Sequence, residues 1–288
     1  MTVAMVGELF LIATPIGNLA DITMRALETL RKVDLVAAED TRTAKKLFSR
    51  YQITTPLISL HDNSSAKRLA DLLGKLQGGA AVGVISEAGT PGISDPGYRL
   101  IRMAAAAAIR ITPLPGACAA VAALCASALP LDSFYFVGFL PVRPGPRQRR
   151  LESLKEIEAT LVFYESPRRL NATLETLEQV LGDRPACVAR ELTKIYEEFL
   201  RFPLSRLRTL GSEHDWRGEI TLLVAGYDRE SRSRDPQEIL KEEAKLRALL
   251  SDPDFVKSHS NRDLVELLMA EFPFLKRRRI YELVLSDS

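Results

Sequence analysis

Over the first 130 or so residues, short apolar runs alternate with amphipathic stretches. Residues 8–14 (ELFLIAT) read as a buried strand, and 24–33, with apolar positions three and four apart, as a helix. The same rhythm predicts strands at 35–38, 56–60 and 81–86, with helices at 42–51 and 64–77 between them. A helix at 98–108, a strand at 110–112 and a helix at 117–128 continue it. Strands alternating with helices imply a mostly parallel sheet with helices packed on it.

The pattern changes near Asp132. Residues 134–140 (FYFVGFL) and 160–165 (TLVFYE) are rich in aromatic and β-branched side chains, as strands require. Between them the sequence predicts a Pro/Gly-rich arginine loop and a helix at 149–158. A helix follows at 167–181, with proline at its first position, where the missing N–H costs nothing. Strands at 186–192, 197–202 and 218–225 complete a second sheet. A charged linker at 227–236 leads to helices near 236–250, 261–271 and 275–285. The expected fold class is α/β: two α/β domains, 1–130 and 131–230, and a helical tail, 231–288.

Composition narrows the possibilities. A chain of 288 residues fits about two domains. Hydrophobic residues at 46% and charged residues at 26% describe a globular protein with a real core, excluding disorder for most of the chain. The longest apolar run, residues 103–109, is far short of the roughly 20 residues a bilayer span needs, so no membrane association is expected. No basic segment followed by an apolar run opens the chain, so no signal peptide is expected. Three cysteines, in no disulfide or zinc spacing, suit a reducing, cytoplasmic compartment.

The net charge of +2 argues against a histone-like polyanion binder, although a net value hides local patches. Arg143, Arg147, Arg149 and Arg150 form one basic run, and Lys276 to Arg279 another. Each is either a solvated face or a set of phosphate contacts.

Parallel sheets bind ligands at the carboxyl ends of their strands. Three Gly/Pro-dense loops fall at such ends here: 14–18, 87–97 and 113–117. Glycines in such loops let a ligand approach the backbone closely. Neither G-x-G-x-x-G nor G-x-x-x-x-G-K-[ST] is present, so this is neither a dinucleotide fingerprint nor a P-loop. Glu39 and Asp40 follow the first loop by about 20 residues, where a ribose-binding acid would sit, but without the glycine fingerprint. His61, His214 and His259 are far apart and no metal site is expected. Cys118 and Cys125 have core spacing, and Cys187 lies in an apolar strand.

The segments ATPIGNLADIT, AAEDTR, AGTPGISDPGYRL, PLPGA, GFLP, FYESPRRL and RELTK resemble those of the small-subunit rRNA methyltransferase I family. This is a bacterial branch of the tetrapyrrole-methylase-like superfamily of S-adenosylmethionine enzymes. The resemblance covers about residues 8–226, with a looser likeness at LKRRRIYELVL. It implies 2′-O-methylation of a cytidine in the decoding region of small-subunit (16S) rRNA. It also implies a homodimer, with the cofactor between two α/β domains.

By that resemblance the cofactor lies against Pro15, the loop of Ser86, Glu87, Ala88, Gly89, Thr90, Pro91, Ile93, Ser94 and Asp95, and Ala117. Tyr164, Arg190 and Glu219 would close the cleft. A structural role stands beside each of these three. Tyr164 would pack, Arg190 would pair with Glu191 or Glu165, and Glu219 would sit in a sheet-edge ion pair.

Methyl transfer is an in-line displacement by the ribose oxygen, whose catalysis comes largely from positioning. A base, or a cation facing the developing alkoxide, still assists. Asp40 and Arg42, together with Glu191 and Lys194, are the candidate catalytic groups, with His61 and Glu198 nearby in the same segments. Asp40 reads equally as the cap of the helix that follows it. Glu87 stands where the family has aspartate, Thr43-Ala44 where it has a His- or Gly-containing pair, Tyr196 where histidine is common, and Phe202-Pro203 where it has a Gly-bearing turn. Two other functions are compatible with the sequence: a tetrapyrrole C-methyltransferase, and a ribosome-assembly factor without activity.

Overall fold

The first sheet contains β1 (Glu8–Ile12), β2 (Leu35–Ala38), β3 (Leu57–Ser59), β4 (Ala81–Ile85) and β5 (Arg110–Leu114), all parallel, in the order β3-β2-β4-β1-β5. In this computed structural model the described residues are 7–61, 64–94, 97–228, 236–251, 255, 261–272, 275, 279–280 and 283–284. The central strands β2 (LVAA) and β4 (AVGVI) are nearly continuous apolar runs because a parallel sheet is covered on both faces. On one face, α1 (Met24–Lys32) and α2 (Thr41–Arg50) bury Leu27, Leu30, Leu47 and Phe48. On the other, α3 (Ala66–Gln77) and α4 (Tyr98–Ala106) bury Leu69, Leu72, Leu76 and Leu100.

This arrangement fixes where a ligand can bind. The chain leaves β1 for α1 on one face and leaves β4 for α4 on the opposite face. Since β1 and β4 are neighbours, the loops after them diverge and open a crevice at their carboxyl ends.

The second sheet, in the order β6-β7-β10-β8-β9, is mixed. Its strands are β6 (Phe134–Phe139), β7 (Thr160–Glu165), β8 (Pro185–Arg190), β9 (Glu198–Pro203) and β10 (Ile220–Val224). Only β6 and β7 run parallel. Side chains alternate along β7: Leu161 and Phe163 enter the core under α6 (Pro144–Glu152), α7 (Pro167–Leu181) and α8 (Leu204–Glu213). Val162 points the other way, to Ala120, Ala123 and Leu124 of α5 (Ala119–Ala126). The helix that follows the first sheet therefore covers one face of the second.

Both sheets belong to one compact unit ending at Gly226, so the 130/131 boundary falls inside it, between α5 and β6. The chain from Tyr227 onward forms a second unit, with α9 (Pro236–Leu250) and α10 (Asn261–Glu271). There Leu246 and Leu250 pack with Leu264, Val265 and Leu268. Most of the 227–236 linker and of the expected helix at 275–285 lies outside the described residues. No helix among the described residues is long and apolar enough to cross a membrane.

Two sequence expectations are corrected. The arginine run at 143–150 is no loop: Pro144 opens α6, which ends at Glu152, so the helix starts five residues before the predicted 149. Arg147 points inward beside Leu151 and is only 7% exposed. Helix α8 was not predicted, because Pro203 reads as a stop and only Leu204 and Leu207 mark a buried face. In the C-terminal basic run, Arg279 is held by Glu243 (2.6 Å), while Lys276 to Arg278 lie outside the described residues.

Candidate active site

The three Gly/Pro loops converge at the crevice. Thr14 and Gly89 exchange backbone hydrogen bonds (2.9 and 3.0 Å), stitching the loop after β1 to the loop after β4. The buried Ser86 hydroxyl donates to the carbonyls of Ala88 and Gly89 (3.2 and 3.3 Å), and Thr90 Oγ1 donates to Ala117 O (3.1 Å). Gly89 has φ +80°, a conformation that favours glycine, and a Cβ there would sit 3.3 Å from Ile16 Cγ2. The hydroxyl of Thr14, itself 4% exposed, has no hydrogen-bond partner among the described residues.

Beside these loops is a cavity of about 370 Å³, within the range of small-ligand sites. Ile16 and the stretch Glu87 to Thr90, with Ile93 and Ser94, form its wall on the first sheet. Cys118 and Ala119 at the start of α5 line it as well. The second sheet supplies Phe139, Tyr164, Leu192 and Gly218 to Thr221. Tyr164 joins the two walls: its hydroxyl accepts from Ala120 N (3.2 Å) while its ring packs on Phe136 and Phe139. Glu165 also lines the cavity, but its carboxylate is taken up by Ser166 N, Thr173 Oγ1 and Arg169, so it serves as structure.

The polar groups around the mouth form two clusters. In the first, Lys194 Nζ lies between Glu191 Oε1 (2.8 Å) and Glu219 Oε2 (2.9 Å). Glu191 Oε1 also accepts from Glu219 N (3.0 Å), and Glu191 N donates to Glu219 O (2.9 Å). Partial burial works against the Lys194 ammonium, but hydrogen bonds and charges from the two carboxylates outweigh it and raise its pKa. Burial likewise opposes the Glu191 carboxylate and is outweighed by Lys194, the Glu219 amide and Arg190, so its pKa is lowered. Lys194 is a fixed cation, unsuited to act as a base.

In the second cluster, Asp40 is both a cap and an ion-pair partner, so the two readings of it coexist. Its carboxylate accepts from Arg42 N (2.7 Å) and pairs with the Arg42 guanidinium (2.9 Å). The side-chain hydrogen bond from Arg42 is the main cause that brings Asp40 down to about 2. Arg42 is raised by Asp40 first, and also by the charge of Glu87 on the cavity wall.

Of the residues expected at the cofactor, Glu87, Ala88, Gly89, Thr90, Ile93, Ser94, Tyr164 and Glu219 line the cavity. Pro15, Ser86, Pro91 and Ala117 belong to the surrounding loops but do not line it, and Asp95 lies outside the described residues. Arg190 does not line it either: it pairs with Glu198 (3.0 Å) across β8 and β9, rather than with Glu191 or Glu165. Sequence reasoning missed Ile16, Phe139, Leu192 and Thr221. Thr221 alone carried a signal, as the single polar residue within the apolar strand ITLLV. Burial raises the thiol of Cys187 to about 11, in keeping with a core residue. Among the described residues no group of three His, Cys, Asp or Glu side chains could hold a metal ion.

Residues 8–208 match the family model described as tetrapyrrole (corrin/porphyrin) methylases. The chain belongs to that family. Within it, the chain is 46% identical over 280 residues to ribosomal RNA small subunit methyltransferase I of Synechocystis sp., covering 97% of this chain and 98% of that protein. It is 47% identical to the protein of the same name from Pseudomonas aeruginosa, over 77% of this chain and 79% of that one. Among solved structures, a cobalt precorrin-4 methyltransferase superposes with a TM-score of 0.57 at 18% identity, covering 76% of this chain and 94% of that one. A uroporphyrin-III C-methyltransferase from Thermus thermophilus does so with 0.55 at 20%, over 76% and 94%. At such identities the structural likeness speaks for the tetrapyrrole methylase fold alone.

Proposed function

We propose that this protein is an S-adenosylmethionine-dependent methyltransferase that modifies small-subunit rRNA at the 2′-oxygen of a cytidine in the decoding region. The observation that carries the reading is the likeness to ribosomal RNA small subunit methyltransferase I, which spans nearly the whole length of both chains. The cavity suits the cofactor: a backbone cradle at Gly89 that a side chain would fill, and apolar walls from Ile16, Tyr164 and Leu192. Such a site can hold a sulfonium and an adenosine without a net counter-charge. We place the protein in the cytoplasm, acting on the small subunit as a homodimer.

When bound, S-adenosylmethionine supplies an electrophilic methyl group. The loop from Glu87 to Ser94, Ile16, Ala119, Tyr164 and Thr221 would hold it. Glu87 and Glu219 are cavity-lining carboxylates not locked into buried structure, so they are the groups able to accept a hydrogen bond from an incoming ribose hydroxyl. Lys194 holds the Glu219 carboxylate in place and keeps a positive charge near any developing oxyanion. Arg42, clamped by Asp40, adds a second fixed cation close to Glu87.

The test is transfer of labelled methyl from S-adenosylmethionine to small ribosomal subunits, followed by mass mapping of the rRNA. A 2′-O-methylcytidine that depends on the protein is expected. Transfer to a uroporphyrinogen-like macrocycle and none to RNA would replace this reading with C-methylation. Cofactor-independent subunit binding without transfer would replace it with an assembly role.

A further inference from the structure

Helix α2 contains no acidic residue, and its four cations fall on one side. Arg42, Lys45, Lys46 and Arg50 stand at i, i+3, i+4 and i+8 and are all exposed, opposite the buried Ala44, Leu47 and Phe48. From Arg42 to Arg50 the stripe runs about 12 Å along the helix. Lys45, Lys46 and Arg50 make no ion pair with a carboxylate among the described residues; only Arg42 does, with Asp40. The whole chain carries a net charge of only +2, so this one helix concentrates twice the excess of the molecule on a single face.

The arrangement is unfavourable for the helix itself. Arg42, Lys46 and Arg50 repeat like charge at i, i+4 and i+8, and Arg42 sits in the first turn, at the positive end of the helix dipole. A polyanion laid along the face removes both penalties. The stripe also starts at the site: α2 leaves the carboxyl end of β2, next to β4 in the sheet, and Arg42 lies within the field of Glu87 on the cavity wall.

We infer that the exposed face of α2 is a track for the RNA phosphate backbone, leading the strand that carries the target nucleotide to the cavity mouth. This rests on the rRNA reading above and gives it a surface. Neither basic run singled out in the sequence is needed for it: Arg147 is buried in α6 and Arg279 is paired with Glu243.

The experiment compares wild type with Lys45→Glu/Lys46→Glu in binding to purified small ribosomal subunits over a salt series. Lys75→Glu/Arg206→Glu changes the net charge equally at exposed positions elsewhere and serves as the control. The α2 variant is expected to bind subunits at least about tenfold more weakly, with a plot of log affinity against log salt shallower by about 1.5. Its calorimetric affinity for S-adenosylmethionine should stay at the wild-type value, and its Tm should not fall, because the reversal relieves the like-charge repeat along α2. If the double reversal fails to fold, Lys45→Gln/Lys46→Gln should show the same loss in smaller measure. Unchanged subunit affinity and salt slope, or an equal loss in the control, overturns the inference while leaving the function standing. A wild-type protein that neither binds nor methylates subunits overturns the proposed function, and the α2 track with it.

Discussion

The hydroxyl of Thr193 accepts a hydrogen bond from the backbone N–H of Asn18, 175 residues earlier in the chain (2.9 Å). Thr193 and Glu191 both have left-handed backbone (φ +65° and +52°), and Gly17 fits beneath them only because it lacks a side chain. A Cβ on Gly17 would lie 2.7 Å from Lys194 Cγ and 2.8 Å from Thr193 Oγ1. The RELTK segment thus clasps the first Gly/Pro loop, holding the two cavity walls together at Ile16 and Leu192.

Thr193→Val should remove the clasp's hydrogen bond at a cost of about 1 kcal/mol. Calorimetry should show Tm lowered by about 2–4 °C, with weaker cofactor affinity because the walls separate. Gly17→Val should do more on both counts.

Gly89→Ala places a methyl group in the cradle at a positive φ, and cofactor affinity should fall about tenfold, or 1.4 kcal/mol. Gly89→Val should abolish binding, since a β-branched residue is a backbone outlier there. Titration calorimetry showing wild-type affinity in Gly89→Ala would remove the cofactor from this loop.

Lys194→Met should destabilise the protein by about 1–2 kcal/mol near neutral pH, because it leaves Glu191 partly buried and unpaired. Lys194 has a raised pKa, so its contribution is complete below 10.5 and is lost as pH rises through the higher folded value. Glu191 has a lowered pKa, so its contribution is present above 4.5 and is lost as pH falls through the folded value. Denaturant titrations should therefore show the gap between wild type and variant level across neutral pH and closing at both extremes.

In an NMR titration, Asp40 should ionise near 2 in wild type and move up toward 3.8 in Arg42→Ala. The cap bond from Arg42 N persists in that variant, so the return should stop short of the full value. Methyl transfer should fall in Arg42→Ala without a matching loss of cofactor affinity.

Arg147→Ala should lower Tm and leave the salt slope of subunit binding unchanged, because the side chain is inside α6 and not on the surface. Arg149→Ala, at an exposed position of the same helix, tests the surface without touching the core.

The alternation of apolar and amphipathic segments was enough to place every strand of both sheets within two residues at each end, because the hydrophobic period is a local property of the sequence. The arginine run was misread since charge and glycine suggest a loop, whereas Pro144 in fact pre-sets the first turn of α6. At the site, loops with several glycines advertised themselves. Ile16, Phe139 and Leu192 did not, because an apolar wall residue has the same signature as a core residue. Arg190 was misassigned for a related reason: which carboxylate it meets depends on the register of β8 with β9, where Glu198 stands opposite it. The α2 stripe needed the structure to show that Lys45, Lys46 and Arg50 lack carboxylate partners among the described residues.

Strand β10 is the last to be made, yet it sits at the centre of its sheet, between β7 and β8. Its residues Ile220 and Thr221, and Gly218 and Glu219 just before them, form one wall of the cavity. During synthesis, β7 and β8 therefore emerge with the edges that β10 will join left unpaired, and the cavity lacks this wall. Only when residue 224 has left the ribosome can the second sheet zip around its final strand. The nascent chain thus gains its cofactor site in one late step, and a chain released before β10 would have none.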